Sequence, residues 1–190
     1  MTPACQDFCA LEAAASQILA WDPQRVPDLL QTRDYAQALA AAGPRPAAST
    51  GREEAGGILA TRQHAVLMQR HADITAVVTE TALRRPVAGP SVMRAQLSAL
   101  AELAANSGHV TICLLPPDRG AQAAATGPVT ILRFGEATGV AAAHLPGPQG
   151  GTFLDTPADL AACARVFEEL KACALTPAAS ARLLRELAVQ

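Results

Sequence analysis

Glu80, Arg84 and Arg85 form the densest cluster of charge near a strand end, just after the β-branched run Ile74 to Thr79, in a chain with few charges. Two guanidiniums beside a carboxylate can grip a carboxylate or phosphate through paired N–H donors, or meet an acidic patch on a protein partner. The structural alternative is internal: Glu80 and Arg84 stand four residues apart and can neutralise one another across a turn. That pair needs only one arginine, which leaves Arg85, ahead of Pro86, as the stronger functional candidate.

A second polar group, Gln31, Thr32, Asp34 and Tyr35, gathers at a helix start. Capping accounts for Thr32 and Asp34 without any ligand. Tyr35 is the only tyrosine and Trp21 the only tryptophan, and either can line a pocket or anchor an interface. Core packing with a satisfied hydroxyl is the commoner fate of a lone tyrosine.

Of the four histidines, His64, His71, His109 and His144, none stands in an HExxH or comparable spacing, so no metal is implied. His144 closes a strand candidate; it is either a general acid–base group or an exposed loop residue. The five cysteines contain no CxxC pair. Cys5 and Cys9 could share a helix face and Cys163 and Cys173 a later one, as reduced thiols serving as small apolar side chains. There is no GxSxG elbow, phosphate loop, dinucleotide fingerprint or kinase signature, and no cofactor is implied. Gly147, Gly150 and Gly151, with Pro146 and Pro148, read as a flexible turn.

The elements that must position these residues follow from periodicity. Phe8, Leu11, Ala15, Ile18 and Leu19 recur at helical spacing, predicting a helix from Ala4 to Trp21 that Pro23 ends. Thr32 caps a second helix, about Arg33 to Ala42, and Gly43 and Pro44 stop it. Residues 43–57 lack apolar periodicity and read as a mobile loop. A third helix carries Ile58, Leu59, His64, Leu67 and Met68, and another spans Val92 to Ala105. Ile74 to Thr79, Val110 to Leu115, Val129 to Phe134, a piece near Val140 and an edge piece at Thr152 to Leu154 are strand candidates, placing the sheet in the central-to-late part. Thr156-Pro157 and Thr176-Pro177 repeat one helix-start signal, a hydroxyl N-cap followed by proline, and Asp159 adds a variant capping box. The expectation is an α+β fold in one domain over residues 1–190, with helices around a small, mostly antiparallel sheet of about four to five strands.

Composition narrows the function. Half the residues are apolar but only 3% are aromatic, so the core is built from small side chains. A net charge of −2 offers no electrostatic footprint for a phosphate backbone, so nucleic acid is not an expected partner of this chain alone. No apolar run reaches the roughly 20 residues of a membrane span. The amino terminus has no basic segment ahead of an apolar one, and the expected compartment is the cytoplasm.

Several motifs in order carry a resemblance: Phe8, Leu11 and Glu12; VPDLLQT with Asp34, Tyr35 and Ala36; Arg62 and Gln63; Glu80, Ala82, Leu83, Arg84, Arg85 and Pro86; HVTICLLP; Gly127-Pro128; Phe134; Pro157; and Leu175-Thr176-Pro177. Together they resemble the uncharacterised domain that follows an XRE-type helix-turn-helix in actinomycete, antitoxin-like transcription regulators. This chain reaches that domain almost at its first residue, so the helix-turn-helix is expected to be missing. The resemblance implies a module for protein association or effector sensing. Gln122 replaces a histidine, and Ala141, Ala142 and Ala143 replace aromatic and acidic residues on the penultimate strand.

Two functions are compatible with these features. One is a stand-alone regulatory module that binds a small regulatory protein, a full-length relative or a small apolar effector, and leaves a homodimer open. Its binding candidates are Trp21, Gln31, Tyr35, Glu80, Arg84 and Arg85. The alternative is the same scaffold recruited to secondary metabolism as a cofactor-independent cyclase, isomerase or lyase, with Glu80, Arg85, Tyr35 and His144 as the available catalytic groups. The regulatory reading is preferred, since no catalytic motif is present.

Overall fold

The computed structural model describes residues 3–42, 49–69, 72–87, 89–119, 125–135, 139–147 and 151–189. Among them run α1 (Pro3–Ala14), β1 (Gln17–Asp22), α2 (Arg33–Ala42), α3 (Ser49–Gln63), β2 (Asp73–Thr79), α4 (Glu80–Arg84), α5 (Pro90–Asn106), β3 (Val110–Leu115), β4 (Val129–Phe134), β5 (Val140–Leu145), β6 (Thr152–Leu154), α6 (Pro157–Cys173) and α7 (Pro177–Ala188). The architecture is α+β, built on a six-stranded mixed sheet in the order β3-β2-β1-β4-β5-β6.

The sheet has two halves that meet at β1. On one side β1 pairs parallel with β2, and β2 with β3. On the other, β1 pairs antiparallel with β4, and β4, β5 and β6 continue as an antiparallel meander. The sheet therefore has six strands rather than four to five, and it does not begin in the middle of the chain. The expected first helix stops at Ala14, and Gln17–Asp22 is the central strand. Ile18-Leu19-Ala20-Trp21 is buried on both faces, so it shows no alternation. Its apolar run fits a helical stripe as well as a strand.

The remaining strand expectations match the elements found, and both threonine caps are made. Thr156 Oγ1 accepts from Asp159 N–H at 3.2 Å, and Thr176 Oγ1 from Ala179 N–H at 3.3 Å. The expected loop at 43–57 is corrected in part: Ser49 to Gly57 opens α3, while 43–48 lie outside the described residues. Helicity there depends on packing against α2, since a Cβ at Gly56 would press on Gln37 and Arg33. No apolar stripe announces such a contact. After Gln63 the helix widens into a π turn, His64–Met68.

The larger core lies on the face of the sheet under α1, α2, α5 and α7, with Ile18, Ala76, Ile112, Leu100 and Leu184 at its centre. The smaller lies beneath α6, where Phe167 and Leu170 cover Leu19, Trp21, Val77 and Ile131. The β3 edge is closed by the α6–α7 junction: Leu175 N–H donates to Leu114 O at 2.8 Å, and Leu114 N–H donates to Ser180 Oγ at 2.9 Å. The other edge is the three-residue β6, too short to template pairing.

Candidate functional site

The site grows from the loop that leaves β1. After Asp22 the chain runs through Pro23 and turns in a single 3-10 turn, Asp28–Leu30, before α2. Val26, Leu29 and Leu30 are buried, so the polar backbone goes down with them and needs partners. Three glutamines supply most. Gln31 Nε2 donates to Val26 O at 2.7 Å, and Gln63 Nε2 to Leu29 O at 3.0 Å and Gln31 O at 2.7 Å. Gln96, wholly buried on α5, donates to Leu30 O and accepts from Thr32 N–H, both at 2.7 Å. Thr32 Oγ1 caps Tyr35 N–H at 3.3 Å, and the buried Tyr35 hydroxyl accepts from Val26 N–H at 3.4 Å. Burial raises the Tyr35 hydroxyl above its ordinary value, and the Val26 hydrogen bond offsets only part of this. Thr79 Oγ1 and Arg85 Nη1 hold the start of the loop, donating to Pro23 O and Gln24 O, each at 3.1 Å.

Between this loop, α1 and the sheet lies a cavity of about 170 Å³ whose apolar wall includes Phe8, Ile18, Ala20, Leu29 and Ile74. It lies on the face of the sheet at β1, the strand with a parallel neighbour on one side and an antiparallel one on the other, and runs from Ile18 to Asp22 at its carboxyl end. One side carries charge. Arg62, from α3, donates to both oxygens of Glu12 at 2.7 and 2.9 Å, and Glu12 is only 2% exposed. Arg25 Nε donates to Asp22 Oδ2 at 2.8 Å. Asp28 stands between the two arginines, with Oδ1 3.5 Å from Arg25 Nη2 and Oδ2 3.4 Å from Arg62 Nη1. Burial alone would lower both guanidiniums, but the facing carboxylates outweigh it and hold each above its ordinary value.

An aromatic stack continues from the charges. The Arg62 guanidinium carbon lies 5.3 Å over the Phe8 ring centroid, and Phe8 packs on His144 with centroids 4.4 Å apart. Phe153 follows at 4.9 Å from His144. Register explains the convergence, because Ala20, Thr130, His144 and Phe153 are successive lateral partners across β1, β4, β5 and β6. Gly151 completes the fit: its φ is +93°, and a Cβ there would collide with Leu145 O and His144 Nε2. The glycine in the expected flexible turn is thus a packing requirement, and the expected exposed-loop reading of His144 gives way to a buried strand residue, 7% exposed.

The structure brings together few of the residues that sequence singled out. Trp21 and His144 border the cavity, and Gln31 borders an adjoining groove of about 320 Å³ between α2 and α3. The Trp21 ring packs with the core beneath α6, and its indole N–H has no hydrogen-bond partner among the described residues. Tyr35 lies behind the loop. Glu80 and Arg84 pair with one another at 2.7 Å on α4, and Arg85 is exposed, so all three stand outside the cavity wall. His71 and Gln122 lie outside the described residues. Among those residues no three His, Cys, Asp or Glu side chains gather as a metal site, and no helix is long and apolar enough to cross a membrane.

Sequence reasoning did not single out Asp22, Arg25 or Asp28 as functional, and took Glu12 and Arg62 only as parts of a family pattern. Glu12 and Arg62 are 50 residues apart, and no local spacing links them. Asp22, Arg25 and Asp28 fall at i, i+3 and i+6 around a turn, which is the signal that was available.

Fold and site define an α+β domain with a mostly apolar, partly open cavity and an ion cluster on one wall. The profile of the family described as Domain of unknown function (DUF5753) matches residues 5–186, and the chain belongs to that family. No curated protein and no solved structure matches it.

Proposed function

We propose that this domain is a regulatory sensor, an antitoxin-like module of the actinomycete regulators it resembles, that binds a small apolar effector and relays its presence to a protein partner in the cytoplasm. The observation that carries this is the cavity itself. One side of it is formed by a loop braced by three glutamines, and a cavity of about 150 Å³ lined by apolar side chains is large enough to hold a benzene ring. Sensing is preferred to catalysis because, of Glu80, Arg85, Tyr35 and His144, only His144 lines the cavity. The charged groups that do line it, Glu12, Asp22, Arg25, Asp28 and Arg62, are engaged in ion pairs with one another.

The loop supplies a route to a partner. It lies between the cavity and the α2–α3 groove, so filling the cavity bears on the surface that α2 and α3 present. The test is binding of benzamide, a neutral ring-sized probe, followed by NMR shifts of the Phe8 and His144 rings. Ala20→Leu, which fills the cavity from the sheet side, is expected to abolish those shifts while the protein stays folded. Unchanged ring signals at saturating probe would overturn the proposal.

A further inference from the structure

The five charged groups on the cavity wall are not equally engaged. Glu12 spends both oxygens on Arg62 in short, buried contacts. Asp22, 8% exposed, accepts from Gln24 N–H at 2.9 Å, Arg25 N–H at 3.3 Å and Arg25 Nε at 2.8 Å. These two pairs are closed on themselves. From each pair one further guanidinium nitrogen, Arg25 Nη2 and Arg62 Nη1, faces Asp28. Among the described residues both meet only Asp28, at 3.5 and 3.4 Å, beyond the usual range for a charge-assisted hydrogen bond. Asp28 is the most loosely held by contact length: its side chain is as exposed as that of Arg25, 38% against 39%, but its firmest contact is from Gln31 Nε2 at 3.2 Å, whereas Arg25 has one of 2.8 Å.

Resting on the ligand-binding reading above, we infer that the effector is a small apolar carboxylate, and that Asp28 occupies the place of its carboxylate in the free protein. The apolar part fills the cavity against Phe8 and Ile18. The carboxylate lies between Arg25 and Arg62, where two guanidinium edges converge. Asp28 swings toward the α2–α3 groove, which it already lines together with both arginines. An amine would meet two guanidiniums at the same point and is disfavoured, although the wall carries three carboxylates against two arginines. Glu12 and Asp22 are each held by their own arginine and already balance its charge, so the donors, not the acceptors, are what the wall offers.

Calorimetry with benzoate, benzamide and benzylamine on the full chain tests this. Benzoate is expected to bind roughly tenfold more tightly than benzamide, the worth of one charge-assisted contact. Asp28→Asn, which keeps the shape and the Gln31 contact, removes the competing carboxylate and is expected to tighten benzoate several-fold while leaving benzamide unchanged. Arg25→Gln is expected to weaken benzoate alone, and circular dichroism verifies that both variants fold. Equal affinity for benzoate and benzamide, preference for benzylamine, or weaker benzoate binding in Asp28→Asn would each overturn the carboxylate assignment and leave the sensor reading standing. Failure of all three probes would overturn both.

Discussion

The chain contains two Glu–Arg pairs with the same 2.7 Å Nε contact and opposite settings. Glu80 and Arg84 are one turn apart on α4, with the Arg84 side chain 52% exposed and the Glu80 side chain 15% exposed. Glu12 and Arg62 come from α1 and α3 and are 2% and 13% exposed. The first pair is legible from spacing and contributes little, because water and salt screen it. The second is invisible to spacing, yet it shapes one wall of the cavity. Proximity in sequence identifies charges that can pair; burial decides which pair matters.

The sharpest way to break this contrast is to remove one arginine from each setting. Arg62→Ala leaves Glu12 buried without its partner and is expected to cost about 3–5 kcal/mol in urea unfolding. Replacing both partners, Glu12→Leu with Arg62→Met, is expected to recover most of that loss, since the penalty belongs to the stranded charge rather than to the pair. If Arg62→Ala unfolds like the parent protein, the buried pair is as idle as the exposed one.

Next in size is the neutral brace behind the loop. Gln96→Ala strands Leu30 O and Thr32 N–H and is expected to cost about 1–3 kcal/mol by the same measurement. A cost as large as that of Arg62→Ala would show that the loop, not the charge, dominates the site.

Tyr35→Phe removes one acceptor and is expected to cost about 1 kcal/mol at neutral pH. It also carries a pH signature. The hydroxyl titrates above its ordinary value of 10.0 in the folded chain, so its contribution is complete below that value and is lost as pH rises through the folded value. Stability measured against pH is expected to fall less steeply on the alkaline side in the variant than in the parent. Parallel alkaline limbs would count against burial of the hydroxyl.

The smallest effect belongs to the pair on α4, whose arginine is half exposed. Glu80→Gln is expected to change stability by about 0.5 kcal/mol or less, and less still at high salt. A larger change would give α4 a role that its exposure does not suggest.

Legibility followed the same division between local and distant. Val110 to Leu115 and Val129 to Phe134 were readable because β-branched runs end at glycine and proline, and the threonine-proline caps because a hydroxyl and a fixed φ act within one turn. β1 is hidden from periodicity because a strand buried on both faces loses its alternation, which is why the sheet has one strand more than its pattern announces. Ser49 to Gly57 was misread because its helix depends on α2. At the site, His144 and Trp21 were noticed for their chemistry, whereas Asp22, Arg25 and Asp28 looked like ordinary loop charges. VPDLLQT was recognised as a motif, and the structure accounts for it: Leu29 and Leu30 enter the core, Gln31 braces the turn and Thr32 caps α2.

Sequence by itself determined the α+β class, most strands, the caps, the family resemblance and the Glu80–Arg84 pair, because each rests on chemistry within a few residues or on an ordered set of motifs. Tertiary structure alone decided that Gln17–Asp22 is the centre of the sheet, that Gly151 makes room for His144, and that Arg25 and Arg62 converge on Asp28. Those outcomes depend on lateral register and on burial, which bring together side chains that no local period relates.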